Sequence, residues 1–136
     1  MRGRLADLVF VYGTLKRGGK YHPLLADAAW MGELCTPRRY RLFDLGPWPV
    51  AMPPVAGQRR SVALHGEVYR MDRRVIRRTL ARLDRLEGSA YRRERMNTPW
   101  GPAWIYVSAK NKKPGRGRLL PHGVWPPGRR KNSMYS

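Results

Sequence analysis

The chain has 136 residues, enough for one domain with one real core. Its 14 glycines and 12 prolines show no repeat period, which excludes a collagen-like rod. Charge is the outlier: 28 basic against nine acidic residues give a formal net charge of +19, so the chain either meets something anionic or tolerates its own repulsion.

Taken in chain order, Leu8–Tyr12 is a continuous apolar run ending at Gly13, the pattern of a buried strand that meets a turn. It is too short, and follows Asp7 too closely, for a secretion signal. Tyr40–Leu45 reads as a second strand, closed by Gly46-Pro47-Trp48-Pro49. Leu64–Met71 is strand-like, with Val68 and Tyr69 at its centre. Asp72–Glu87 is the one convincing long helix, with Asp72 as N-cap and Gly88 just past its end. Tyr91–Asn97 is a polar, edge-like strand. Ala103–Ala109 is rich in β-formers and follows the turn signal Trp100-Gly101-Pro102. Residues 111–136 carry seven basic residues and no acid among many glycines and prolines. The expected organisation is therefore a globular domain over 1–110 and a basic Pro/Gly-rich tail over 111–136, irregular or disordered in part. No stretch approaches the ~20 apolar residues of a membrane span, so the expected setting is the cytoplasm without a membrane partner.

One cysteine, Cys35, excludes an internal disulfide, a four-cysteine zinc site and a CxxC redox pair. It reads as a small, partly buried apolar residue rather than a nucleophile. The histidines, His22, His65 and His122, are far apart and form no HExxH pair, so neither a metal nor another cofactor is expected. No GxSxG surrounds any serine, which removes the serine-hydrolase elbow.

Two features break the bland pattern. At 100° per residue, Ile76, Leu80, Leu83 and Glu87 share a narrow arc of the helix, opposite Arg73, Arg74, Arg77, Arg78 and Arg85. An acid on the apolar face at a helix C-terminus is pushed towards its neutral form by desolvation and by the helix dipole, which suits a base working near neutral pH. Equally, the helix could stop at Leu86, with Glu87 in water or paired with Arg92 or Arg93. The second feature is Tyr12-Gly13-Thr14-Leu15-Lys16-Arg17-Gly18-Gly19-Lys20, directly after the buried strand. Gly13 and Gly18 have Walker A spacing, but Gly19 displaces the lysine and Tyr21 replaces the required hydroxyl, so it does not bind a nucleoside triphosphate. A glycine-rich turn of this kind is either an ordinary connection or a cradle of backbone N–H groups for a carboxylate-sized anion.

Together these segments resemble the γ-glutamylcyclotransferase-like (AIG2-like) superfamily, nearest to its γ-glutamylamine cyclotransferase type. Tyr12-Gly13-Thr14-Leu15…Gly18 is similar to the family's YGTLxxG signature. Gly46-Pro47-Trp48-Pro49-Val50-Ala51 resembles its G-x-YPA segment, with Trp48 for tyrosine and Val50 inserted. Gly66-Glu67-Val68-Tyr69 resembles G-E-[LV]-Y, and Leu83-Asp84-Arg85-Leu86-Glu87-Gly88 with Tyr91-Arg92-Arg93 resembles L-D-x-L-E-G…Y-x-R. The resemblance runs from residue 8 to 109 in order. It implies an α+β fold, a small mixed β-barrel with one main helix. It also implies an enzyme that cyclises a γ-glutamyl amide to 5-oxoproline and releases an amine. The substrate's own α-amino group is then the nucleophile, so no protein nucleophile or metal is needed. The resemblance gives Glu87 the general acid/base role, Tyr12, Gly13, Thr14 and Leu15 the substrate carboxylate, and Tyr91 a place in the pocket wall. The alternative reading is a nucleic-acid or polyanion binder on a non-catalytic fold of this type. Accessory nucleic-acid contact through the basic tail is a further expectation, and the oligomeric state is left open.

Overall fold

The computed structural model describes residues 8–53, 61–109 and 117–127, apart from the side chains of residues 37–39, 73 and 87. Among the described residues, seven strands form one mixed sheet: β1 (Leu8–Val11), β2 (Ala29–Asp44), β3 (Pro49–Met52), β4 (Val62–Arg70), β5 (Tyr91–Thr98), β6 (Gly101–Ser108) and β7 (Arg118–Leu119). The one long helix, α1 (Arg73–Glu87), joins β4 to β5 through a short 3-10 turn at Gly88–Ala90. Along the sheet the order is β3-β2-β4-β1-β6-β5, with β7 added beside β2. Every pairing is antiparallel except β1 with β6.

The apolar run at the N-terminus explains β1. All four of its residues are buried, as a central strand covered on both faces requires. Leu8 and Phe10, continued by Tyr12, enter one core cluster with Tyr40, Leu42, Leu64, Ile105 and Val107. Val9 and Val11 point the other way, into a second cluster with Tyr69, Met71 and Tyr106, which α1 covers with Ile76, Leu80 and Leu83. The period-3.6 stripe read from the sequence is thus the face that packs. Arg74, Arg77, Arg78 and Arg85 of the opposite arc are exposed. The Asp72 side chain accepts from the Arg74 amide at 2.8 Å, as an N-cap does, and Gly88 takes a positive φ at the C-terminal end.

The sheet is strongly curled, a half-barrel. β2 makes this happen: its pairing with β4 slips between Trp30 and Gly32 and again between Cys35 and Arg39. Each slip inserts extra chain on one side and bends the strand. The far end of β2 turns away to pair with β3 and β7 instead. Tyr12 then closes the curl. Its hydroxyl donates to the Tyr106 carbonyl of β6 at 2.7 Å and accepts from the Ala51 amide of β3 at 3.1 Å. Two strands far apart in the sheet order are thereby held together over one buried side chain.

Three readings need correction. The Tyr40–Leu45 strand is only the last third of β2, whose first half carries Gly32, Glu33 and Cys35 and so shows no apolar alternation. Cys35 is exposed rather than partly buried. Chain packed on the domain also extends past the boundary expected at 110. Leu120 is buried in the first cluster, Trp125 packs against it, and the Trp125 indole N–H donates to Asp44 at 3.0 Å. The Gly123 carbonyl accepts from the His65 amide. A few apolar residues with the right partners outweigh the basic Pro/Gly-rich composition around them. The rest of the expected tail, 111–116 and 128–136, lies outside the described residues, as do residues 1–7.

Candidate active site

The segment after β1 is a pinned turn. The Lys16 amide donates to the Gly13 carbonyl at 3.0 Å, and the Tyr21 amide donates to the Thr14 carbonyl at 2.9 Å. His22 Nδ1 lies 2.9 Å from the Leu15 carbonyl, which can only accept, so Nδ1 carries the proton. The carbonyls of Gly13, Thr14 and Leu15 are therefore all occupied from within the protein. Among the described residues their three amides donate to no other group. Consecutive free N–H groups form a concave, positively polarised nest for an anion. Gly13 has a steric reason of its own, since a Cβ there would stand 2.8 Å from Pro49 Cγ.

Glu67 holds the next residue of the turn. This buried carboxylate accepts from the Arg17 amide and from the Tyr69 hydroxyl, each at 2.9 Å. Burial, the hydrogen bond to Glu67 and the carboxylate's charge together push the Tyr69 hydroxyl above the ordinary tyrosine range, and Arg17 opposes them. Gly66 precedes Glu67 because Phe10 packs where a side chain would be: a Cβ there would lie 2.5 Å from Phe10 Cζ.

The turn borders a small cavity of about 40 Å³. That is room for roughly three water-sized groups, and so for a carboxylate with its neighbouring carbon. Tyr12, Gly13, Thr14, Leu15 and Tyr91 all line it, so the five residues expected to bind substrate stand around one space. Trp48, Pro49 and Tyr106 complete the wall. The tyrosine hydroxyls are spent on the protein itself: Tyr12 as described, Tyr91 on the Pro49 carbonyl at 2.9 Å, and Tyr106 on Asp84. Their rings are held as fixed apolar walls, and the polar groups left to the cavity belong to the turn, its backbone and the Thr14 side chain. Trp48 stands at the rim, 47% exposed.

Residues 9–127 match the family described as gamma-glutamyl cyclotransferase, AIG2-like. The chain belongs to this family. A Vibrio cholerae relative, provisionally named a gamma-glutamylcyclotransferase, is 43% identical over 123 residues, covering 89% of this chain and 96% of its own. The gamma-glutamylcyclotransferase family protein YtfP of Escherichia coli is 35% identical over 120 residues, 86% of this chain and 94% of that one. The gamma-glutamylaminecyclotransferase of Rattus norvegicus is 36% identical over 78 residues, about half of each chain. Among solved structures, an uncharacterized protein of Pyrococcus horikoshii superposes with a TM-score of 0.73 at 27% identity, covering 96% of this chain and 98% of that one. The mouse AIG2-like protein, 24% identical with a TM-score of 0.67, covers 88% of this chain and 87% of its own and shares the fold.

In this member of the gamma-glutamyl cyclotransferase family, α1 stays helical through Glu87 rather than ending at Leu86. Glu87 is followed by the Gly88–Ala90 turn and then by Tyr91 in the cavity wall. Its side chain lies outside the described residues, so the backbone alone places it at the end of α1 that leads into the site. Asp84, one turn earlier, is committed elsewhere: it accepts from Arg93 Nε at 2.9 Å and from the Tyr106 hydroxyl. The sequence reading missed Glu67 and Tyr106 as parts of the site. Glu67 carried a usable signal, a lone acid inside an apolar strand. Tyr106 carried none, because its role depends on Asp84 and Tyr12 reaching it from other elements. Among the described residues, no group of three or more His, Cys, Asp or Glu is placed to hold a metal ion. No helix of the described residues is long and apolar enough to cross a membrane.

Proposed function

We propose that the protein is a γ-glutamyl cyclotransferase that converts a γ-glutamyl amide into 5-oxoproline and a free amine. The observation that carries this reading is the nest of Gly13, Thr14 and Leu15 amides in an uncharged, tyrosine-walled cavity. It suits the α-carboxylate of a γ-glutamyl group, anchored by backbone donors while the aliphatic chain folds against the tyrosine rings. Family membership supports the same chemistry at its coarser level.

The reaction then needs little from the protein. With the carboxylate fixed, the substrate's α-amino group reaches its own δ-carbonyl, and orientation replaces a floppy encounter. Glu87, at the end of α1, takes a proton from the α-ammonium. The amine adds to the δ-carbonyl, forming the ring C–N bond. The carboxyl proton passes to the departing nitrogen and the original amide C–N bond breaks; the second proton of the ring nitrogen then passes through Glu87 to the released amine, which leaves as an ammonium ion, and Glu87 returns to its starting state. No water enters the balance, and a tight, apolar-walled cavity favours this by limiting competing hydrolysis. Which amine leaves is decided beyond the carboxylate nest, on the side where Trp48 forms the rim.

The test is 5-oxoproline release from a panel of γ-glutamyl amino acids and γ-glutamylamines, with Glu87→Gln alongside. Gln keeps the shape and loses the base, so release falls by at least 100-fold, within the range one acid–base group supplies. Undiminished release in the variant would sink the assignment of Glu87. A folded wild type that releases nothing from any member of the panel would overturn the cyclotransferase reading.

A further inference from the structure

The +19 charge is not absorbed by the cyclotransferase reading, because no charged residue is among the described lining of the cavity. Much of it is concentrated on one face. Arg74, Arg77, Arg78, Arg82 and Arg85 are all exposed along the outer arc of α1. From Arg74 to Arg85 the helix rises about 16 Å. The adjoining strand continues the face, since Arg93 and Arg95 of β5 lie opposite Tyr106 and Trp104, on the side of the sheet that α1 covers. Acids do little to neutralise it. Among the described residues, Asp84 is the one acid exposed on that arc, and Arg93 and Tyr106 already use it. Among the described residues, none of the five helix arginines is paired with a carboxylate.

We propose that the arginine face of α1, continued by Arg93 and Arg95, is a docking surface for the phosphate backbone of a nucleic-acid duplex. Residue chemistry selects this occupant. Six guanidinium groups, those of Arg74, Arg77, Arg78, Arg82, Arg85 and Arg95, offer planar forks that match phosphate oxygens, while the Arg93 fork is held on Asp84; no lysine interrupts them. An anionic membrane is disfavoured because the exposed arc holds only Arg, Asp84 and Ala81, with no large apolar residue to insert. A single strand is disfavoured because it needs free aromatic faces on which bases can stack. The aromatic of this face, Trp104, has the Arg93 and Arg95 guanidinium carbons 4.8 Å and 5.8 Å from its ring centroid. What remains is contact with phosphates alone, positioning without base readout. This places the polyanion surface on the folded domain rather than on the tail, and it does not depend on the cyclotransferase reading.

The experiment uses the full chain and a fluorescein-labelled 20-base-pair DNA duplex of mixed sequence, with anisotropy followed from low to high salt. The perturbed protein carries Arg74→Gln, Arg78→Gln and Arg85→Gln together; all three sites are exposed, and Gln is a good helix former. Each lost phosphate contact lowers the slope of log K against log salt by about 0.9, so the triple variant loses about 2.7. At ~0.15 M salt that is roughly fivefold per contact and on the order of 100-fold for three. A second variant, with Arg129, Arg130 and Lys131 changed to Gln, removes tail charge only and keeps most of the slope. Single Arg78→Gln, expected to lose about 0.9 of slope, guards against misfolding of the triple variant. Unchanged affinity and slope in the helix variants would overturn the proposal. So would a tail variant that takes the whole slope, or a wild type that ignores the duplex and binds phosphatidylserine vesicles.

Discussion

Removing one oxygen atom, by Tyr12→Phe, tests how the curl of the sheet is held. The ring stays, so the apolar packing of a side chain only 6% exposed is kept. What is lost is a pair of hydrogen bonds, 2.7 Å to the Tyr106 carbonyl and 3.1 Å from the Ala51 amide. Both bonds are buried. An orphaned buried donor or acceptor costs about 1–3 kcal/mol, so two give about 2–4 kcal/mol after some relaxation. For a domain of this length the melting midpoint moves by about 3–4 °C per kcal/mol, which predicts a fall of roughly 6–15 °C. Thermal unfolding followed by circular dichroism, with a denaturant titration to check that the m-value is unchanged, measures it. Tyr91→Phe is the internal comparison. Its hydroxyl donates a part-buried bond to the Pro49 carbonyl, and losing that bond is expected to cost about 1 kcal/mol. A Tyr12→Phe midpoint within about 2 °C of wild type, well inside the per-kcal/mol shift, would refute the idea that this hydroxyl holds the two strands together.

Three further outcomes are expected. Gly66→Ala places a Cβ 2.3 Å from the Val11 carbonyl oxygen and 2.5 Å from Phe10 Cζ, a clash against backbone inside the sheet; a loss of about 3 kcal/mol or more, seen as a lower denaturation midpoint or insoluble expression, follows from overpacking. The Tyr69 hydroxyl is held protonated in the fold above its ordinary range, so its contribution to stability is complete below about pH 10 and declines as pH rises beyond that value. Urea titrations between pH 8 and pH 11 should show a shallower alkaline loss in Tyr69→Phe than in wild type, and equal slopes would count against the assignment. Truncation after Ala109 removes β7, Leu120 and Trp125 from the core they cover, and should lower the melting midpoint by several degrees. An unchanged midpoint would mean that the segment adds nothing to the folded domain.

The sequence by itself determined the parts whose signal is local. Five apolar residues in a row, Leu8 to Tyr12, before Gly13 read as a strand buried on both sides. The 3.6-residue stripe from Ile76 to Leu83, with Asp72 before it and Gly88 after, is sufficient to specify α1 and the face it buries. Tyr12, Gly13, Thr14, Leu15 and Tyr91 were named through the family resemblance; the glycine turn by itself left an ordinary connection and an anion cradle both open. The tertiary structure decided whatever depends on a partner remote in the chain. The front half of β2 is a strand because β4 pairs with it, not because Gly32, Glu33 and Cys35 favour one. The four residues of β3 are too few to show a period, and Pro49 is tolerated because it opens a strand at the end of the sheet order. Residues 117–127 look like tail by composition, yet Leu120 and Trp125 find places prepared by Leu42 and Asp44. Glu67 and Tyr106 entered the site in the same way, through contacts with Arg17, Tyr69, Asp84 and Tyr12. Periodicity reports the environment a residue prefers along its own element; the curl of the sheet, which brings β3 onto β6, decides which residues share a cavity.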